Sequence, residues 1–519
     1  MFSCSLLSFA QFTGMITDEQ GVQYVNNNGI ETCRVCGHAE NYSSDIVIPE
    51  TIEGRRVTSI GQYAFQDCSN MKSVVIPQSV TEIVHEAFRG CTGLTQLTIP
   101  SGVKTIGDGA FRGCSGLAQV TLSKGLETIG STAFYECSAL TEIAIPEGVT
   151  EIGNSAFYGC SSLTSATIPQ SVTTIDVNAF GQCKKLTALL MPESATSTRE
   201  LETWAFYEYQ DLAAVTLPQG LTKISENAFR GCSSLTALVI PDGVKSIEHY
   251  AFNGCEKIAS VTIPAGMTTV GSNAFYGCSA LTQVVLPEGV TEIGNEAFAN
   301  CSKMEQATIP STVTAIGHDA FSGCSSLAQV TIPEGVTTIS NSAFNGCRSL
   351  TSVTIPAGVT TIGAYAFRGC SHVTELVIPE GVMTIGSYAF SDWGSMKSLT
   401  IPSTVTEIGD QAFSYWSDLE TVAVGMKTPV ALESRTFERA FGSVATLTLY
   451  VPKGSKAAYE AADIWKDFGS IVEYDAAGIG AVSGDKSNVR WYTLDGHKLQ
   501  GKPTTRGIYV TNGQKVVMQ

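Results

Sequence analysis

Positive charge, histidine and long apolar runs are all in short supply in this 519-residue sequence. Thirty-one Lys and Arg face 48 Asp and Glu, for a net charge of −17. Nucleic acid and anionic membranes both demand a basic surface, so neither is expected as a partner. No apolar run approaches the roughly 20 residues that cross a bilayer as a helix, so no transmembrane segment is expected. Three of the six histidines, His85, His249 and His318, fall in one repeated slot several repeats apart. Repeats stack at about 4.8 Å when neighbouring strands pair, which keeps these histidines too far apart to share a site. Catalysis needs a nucleophile, its base and an orienting partner within reach of one another. The Gly-rich stretches lack the Lys of a phosphate loop. The expectation is a chain that is not an enzyme and needs no cofactor.

What the sequence has in abundance is a repeat. An Ala-Phe pair recurs with Phe at 65, 88, 111, 134, 157 and 180, then at 206, and again from 229 to 413 in steps of 23, the step from 180 to 206 being 26. A period of this size sustained over this length means stacked repeats. In the unit Leu350 to Cys370, Leu350, Val353 and Ile355 form L-x-x-L-x-L, with Val353 and Ile355 two apart on one face of a short strand. Pro356, which has no amide proton, ends that strand. Gly358 is read as the turn residue, and Val359, Ile362, Ala366 and Phe367 as the apolar points of the return path. A lone unit would expose both its flat ends, so stability must come from neighbours.

Thirteen of the sixteen cysteines lie three residues after a repeat Phe. Tyr209, Trp393 and Trp416 fill the same slot elsewhere, which marks a packing position and not an obligatory disulfide. Cys33-x-x-Cys36-x-His38 is the one short metal-like cluster. Zinc needs a second ligand pair, which is missing nearby, so a Cys33–Cys36 disulfide or two thiols is expected and no metal.

The unit resembles the leucine-rich repeat of BspA-type bacterial surface proteins, x-I-P-x-x-V-x-x-I-G-x-x-A-F-x-x-C. The resemblance implies a leucine-rich repeat solenoid, mostly β with an irregular convex side, one strand per 23-residue coil. It also implies secretion or display on the outer cell surface, with adhesion to host extracellular matrix or another cell's surface, and it brings no catalytic residues. The division expected is 1–15 as a truncated signal peptide, 16–55 as an N-terminal cap and 56–424 as about 16 repeats. A C-terminal cap follows at 425–474, in which Ser455 caps a short helix, then a linker at 475–487. A β tail at 488–519 resembles a short sorting domain of type IX secretion, at Tyr492-x-Leu494-Asp495-Gly496 and Gly507-Ile508-Tyr509-Val510. Asp495-Gly496 and Asn512-Gly513 read as hairpin turns.

Two surfaces are candidates for binding. On the concave strand face, outward positions are chiefly small and uncharged, and Gln96, Gln119, Gln283, Gln306, Gln329, Thr308 and Thr331 are the residues expected to contact a protein partner. The break at 192–209 adds three residues and brings in Arg199, Trp204, Tyr207 and Tyr209. An insertion in a solenoid is pushed out as a loop, often on a binding face, and aromatic side chains are a sugar platform. Adhesion through protein contact, glycan binding at the inserted repeat, and a structural spacer are thus three readings. Tyr388, Trp393, Tyr415 and Trp416 are read as packing toward the C-terminal cap.

Overall fold

In the unit Leu350 to Cys370, the side chains of Leu350, Val353, Ile355, Val359, Ile362, Ala366, Phe367 and Cys370 are all at most 5% exposed. Alternation sends Val353 and Ile355 inward, and the same pattern repeats from coil to coil. The computed structural model describes residues 15–27, 31–40, 42–192, 200–201, 203–438 and 444–474, and four strands between 491 and 518. The chain divides into two units, Met1–Leu281 and Thr282–Gln519.

Within each unit, successive coils pair in parallel and in register. In the first, Glu142–Ala144, Ser165–Thr167, Ala188–Leu190 and Ala214–Thr216 form one sheet. In the second, Gln283–Val285, Gln306–Thr308 and Gln329–Val330 form another. The solenoid expected from the repeat is therefore present, with one correction. Each coil carries a second, two-residue strand on its return path, as in Thr338–Ile339, Thr361–Ile362, Thr384–Ile385 and Glu407–Ile408. Two residues are too few to show a period of two in the sequence, so this strand was invisible there.

The turn beyond it sets the register of the stack. Phe344 and Phe367 donate their backbone N–H to Ala366 and Ala389 of the next coils, at 2.8 Å each. Their rings stack at 5.3 Å, and the series continues through Phe321 and Phe390 at 5.5 and 5.7 Å. Tyr365 and Gly369, which flank Phe367 at two residues either side, both have left-handed backbone, with φ of 59° and 74°. Their N–H groups point to the next coil with that of Phe367, each 2.8 Å from an acceptor. Gly358 lies in a turn, as expected, outside the positive-φ range, whereas the equivalent Gly381 of the next coil has φ of 111°.

Before the first coils, Val22–Asn26 pairs antiparallel with Thr32–His38, which pairs in parallel with Arg55–Ile60. The His38 ring lies parallel to Phe65, 6.3 Å away, so it extends the ring stack by one. At the other end Thr421–Val424, Thr448–Pro452 and Ser470–Tyr474 continue a parallel sheet. Phe437 adds a ring on Phe413 at 5.7 Å, and Trp465 is fully buried with its Nε1 donating 2.8 Å to the Val430 carbonyl. Ser455 precedes the helix Lys456–Ala461 as expected but does not cap it, because its hydroxyl donates to the Pro452 carbonyl. Glu473 Oε1 instead accepts from Gly454 and Lys456 N–H at 2.8 and 3.2 Å.

The tail forms an antiparallel sheet of Trp491–Tyr492, Lys498–Leu499, Gly507–Thr511 and Gln514–Met518. The turn pairs expected at Asp495-Gly496 and Asn512-Gly513 lie outside the described residues, as do 1–14 and the linker 475–487. Among the described residues no helix is long and apolar enough to cross a membrane.

Candidate binding surfaces

The outward face of the longer strands is built by alternation, since a strand that buries Val284 must expose Gln283 and Val285. Gln283, Gln306 and Gln329 stand opposite one another in register and are exposed, as is Thr308 beside them. Thr331 is exposed just past the end of its strand. In the first unit Gln96 and Gln119 pair likewise and are exposed. The structure brings the expected strand-face residues into two rows, one in each unit.

This face is more apolar than its run of Thr and Gln implied. Leu190, Val239, Val285 and Val377 occupy the outward position just before the inward Met191, Ile240, Leu286 and Ile378, and are 54, 69, 58 and 63% exposed. Leu190 and Val239 line a depression of about 820 Å³ across the sheet of the first unit, together with Ala166, Thr216, Gln219 and Ala237. The sequence signal was the interruption of a Thr row by branched apolar residues.

The inserted repeat leaves that sheet intact, because Ala188–Leu190 pairs directly with Ala214–Thr216. Trp204 is 46% exposed and meets the half-buried Tyr207 edge-on, with ring centres 4.6 Å apart. Tyr209 does not join them. It is 1% exposed, its hydroxyl donates 2.8 Å to the Phe180 carbonyl, and the same oxygen accepts from Cys183 N–H at 2.9 Å. Its place in the cysteine slot turns it into the core, which corrects its assignment as a contact residue. Arg199 lies outside the described residues.

The cysteine slot holds a hydrogen-bond donor as well as a packing group. Cys91, Cys232 and Cys347 each direct Sγ at the carbonyl of the Phe 26 residues earlier, at 3.0, 3.1 and 3.2 Å. Trp393 and Trp416 direct Nε1 at the equivalent carbonyls at 2.7 and 2.6 Å. These two Trp therefore continue the slot rather than mark an approach to the cap. No disulfide joins the described cysteines. Cys33 and Cys36 lie in one extended strand, and a three-residue span of strand, about 10 Å, is too long for a disulfide. Among the described residues no group of three or more His, Cys, Asp or Glu is placed to hold a metal ion.

The fold and these surfaces define a leucine-rich repeat solenoid. The model of the BspA type leucine rich repeat region matches residues 58–187, 199–318 and 291–420, well over half of the chain, and the protein belongs to that family. A leucine-rich repeat protein from Bacteroides ovatus is 22% identical over 89% of this chain and 100% of its own, with a TM-score of 0.44. A leucine rich cell surface protein from Faecalibacterium prausnitzii is 25% identical over 79% of this chain and 94% of its own, with a TM-score of 0.36. The pneumococcal vaccine antigen PcpA is 16% identical over 89% and 98%, with a TM-score of 0.31. No curated protein sequence matches the chain. The family is one of leucine-rich repeat proteins, which points to an interaction role.

Proposed function

We propose that this protein is an exported adhesin that binds a protein partner, in host extracellular matrix or on another cell, through the outward face of its longer strands. The observation that carries the reading is the in-register row Gln283, Gln306 and Gln329, exposed beside Thr308 and the 58%-exposed Val285. A uniform, uncharged and partly apolar surface gives affinity through area and is insensitive to salt. In this reading residues 16–55 and 425–474 close the ends of the stack, and the tail 488–519 directs export.

The test is binding of the purified full chain to immobilised matrix proteins and to whole cells. Replacing Gln283, Gln306 and Gln329 with Lys sets three like charges on adjacent strands and is expected to abolish adhesion while circular dichroism is unchanged. If adhesion survives that change but disappears with Trp204→Ala and Tyr207→Ala, the inserted repeat is the contact. If neither matters, the protein is a spacer.

A further inference from the structure

The turn segments carry side chains that the strand face does not use. In the first unit they bring Tyr207, Arg230 and Tyr250 of three successive coils together. The Arg230 guanidinium lies 5.9 Å from the Tyr207 ring centre and 5.3 Å from that of Tyr250. Lys184 Nζ is also 5.9 Å from the Tyr207 ring, against which Trp204 stands edge-on.

The second unit contains a related but different cluster, in which Tyr365 and Tyr388 stack directly on each other at 4.7 Å and Arg368 lies beside the pair. Arg368 lies 5.8 and 5.9 Å from the rings of Tyr365 and Tyr388, and its Nε is 3.5 Å from the Asp392 carboxylate. Asp392 is two residues past its repeat Phe, with φ of 65°. The residue in that position beside Arg230 is Gly254, at φ 74°, which has no side chain to offer. Arg230 donates to Asn227 Oδ1 at 3.2 Å, and among the described residues no carboxylate forms an ion pair with it. Glu208, the carboxylate of the cluster, pairs with Lys184 at 3.6 Å. Arg368 thus has an ion-pair partner from the next coil, whereas Arg230 has none there and the Glu208 carboxylate of its cluster is engaged with Lys184.

We propose that Lys184, Trp204, Tyr207, Arg230 and Tyr250 form a binding site for an acidic carbohydrate, a sugar bearing one or a few sulfate or carboxylate groups. A guanidinium held between two rings is pre-organised, and its fork accepts an oxyanion by paired N–H···O bonds. The exposed Trp204 offers an aromatic surface to the apolar side of a sugar ring. An acidic peptide or a dense polyanion is disfavoured, because the net charge of −17 repels charge spread beyond the cluster. The site is separate from the strand face and does not depend on that reading.

The experiment is calorimetric titration of the full chain with oligosaccharides bearing a single sialate, glucuronate or sulfate, each compared with its neutral parent. At least one charged sugar is expected to bind about tenfold or more tightly than its parent, and less tightly as salt rises. Arg230→Gln and Gly254→Asp should each remove that preference. Gly254→Asp supplies the carboxylate that Asp392 supplies elsewhere, and a Cβ at Gly254 comes no nearer than 3.8 Å to Gly231 Cα. Unchanged circular dichroism and a cooperative melt, lowered for Gly254→Asp by no more than the cost of one left-handed residue, certify the variants, and the strand-face Lys variant should bind the sugar normally. No preference for any charged sugar, a preference that survives both Arg230→Gln and Gly254→Asp, or equal binding of a glutamate-rich peptide would each overturn the proposal.

Discussion

The indole Nε1 of Trp393 donates a 2.7 Å hydrogen bond to the carbonyl oxygen of Phe367, the bond that Cys370 Sγ makes to Phe344 at 3.4 Å one coil earlier. Cys, Tyr and Trp share this slot because each joins an apolar body to a donor. The carbonyl lies between coils and also accepts the backbone N–H three residues on, as Phe321 does from Cys324 N–H at 3.2 Å, so the side chain supplies its second donor.

Cys347 tests this directly. Cys347→Ala removes the second donor to the Phe321 carbonyl and leaves a small void, and is expected to cost roughly 1–2 kcal/mol, chiefly from the void. Cys347→Ser keeps an O–H and should cost less. Urea denaturation of both variants decides it; a Ser variant no more stable than the Ala variant would refute the donor role.

Thiol reactivity follows from burial. Cys232 and Cys324 are fully buried, and burial pushes their thiols up to about 12. At pH 8 roughly one in ten thousand such groups is a thiolate. The half-buried Cys36 should label first with a thiol reagent, and the repeat cysteines only on denaturation. Rapid labelling of most of them in the native protein would contradict this.

The same shifts set an alkaline limit. A thiol whose folded value is raised from 9.0 to about 12 favours folding below pH 9, and that contribution is lost as pH rises toward 12. Each such thiol contributes a slope of about 1.4 kcal/mol per pH unit inside the window. The urea midpoint should be level from pH 7 to 8.5 and fall steeply by pH 10.5. A level midpoint throughout would mean the thiols are not buried.

Two glycines of neighbouring coils should fail for different reasons. Gly346 has φ of 74°, and an added Cβ comes no closer than 3.8 Å to Gly323, so Gly346→Ala should cost only the left-handed backbone, about 1 kcal/mol. At Gly363 a Cβ would lie 2.6–2.8 Å from Asn341 and Ser340. Gly363→Ala must push two coils apart and should cost more. Thermal melts of both variants give the order.

The repeat, its 23-residue period and the inward apolar points of each coil were legible in the sequence, because a solenoid repeats one environment and so repeats one set of residues. Burial of Val353, Ile355, Ile362 and Phe367 follows from their spacing alone. What passes between coils was not legible. The thiol-to-carbonyl bond spans 26 residues, the left-handed backbone at Tyr365 and Gly369 serves bonds to the next coil, and the second strand is two residues long. The burial of Tyr209 and the missing carboxylate beside Arg230 were likewise decided by tertiary structure. Each depends on which residue of one coil lies over which residue of the next, and only stacking brings them into contact.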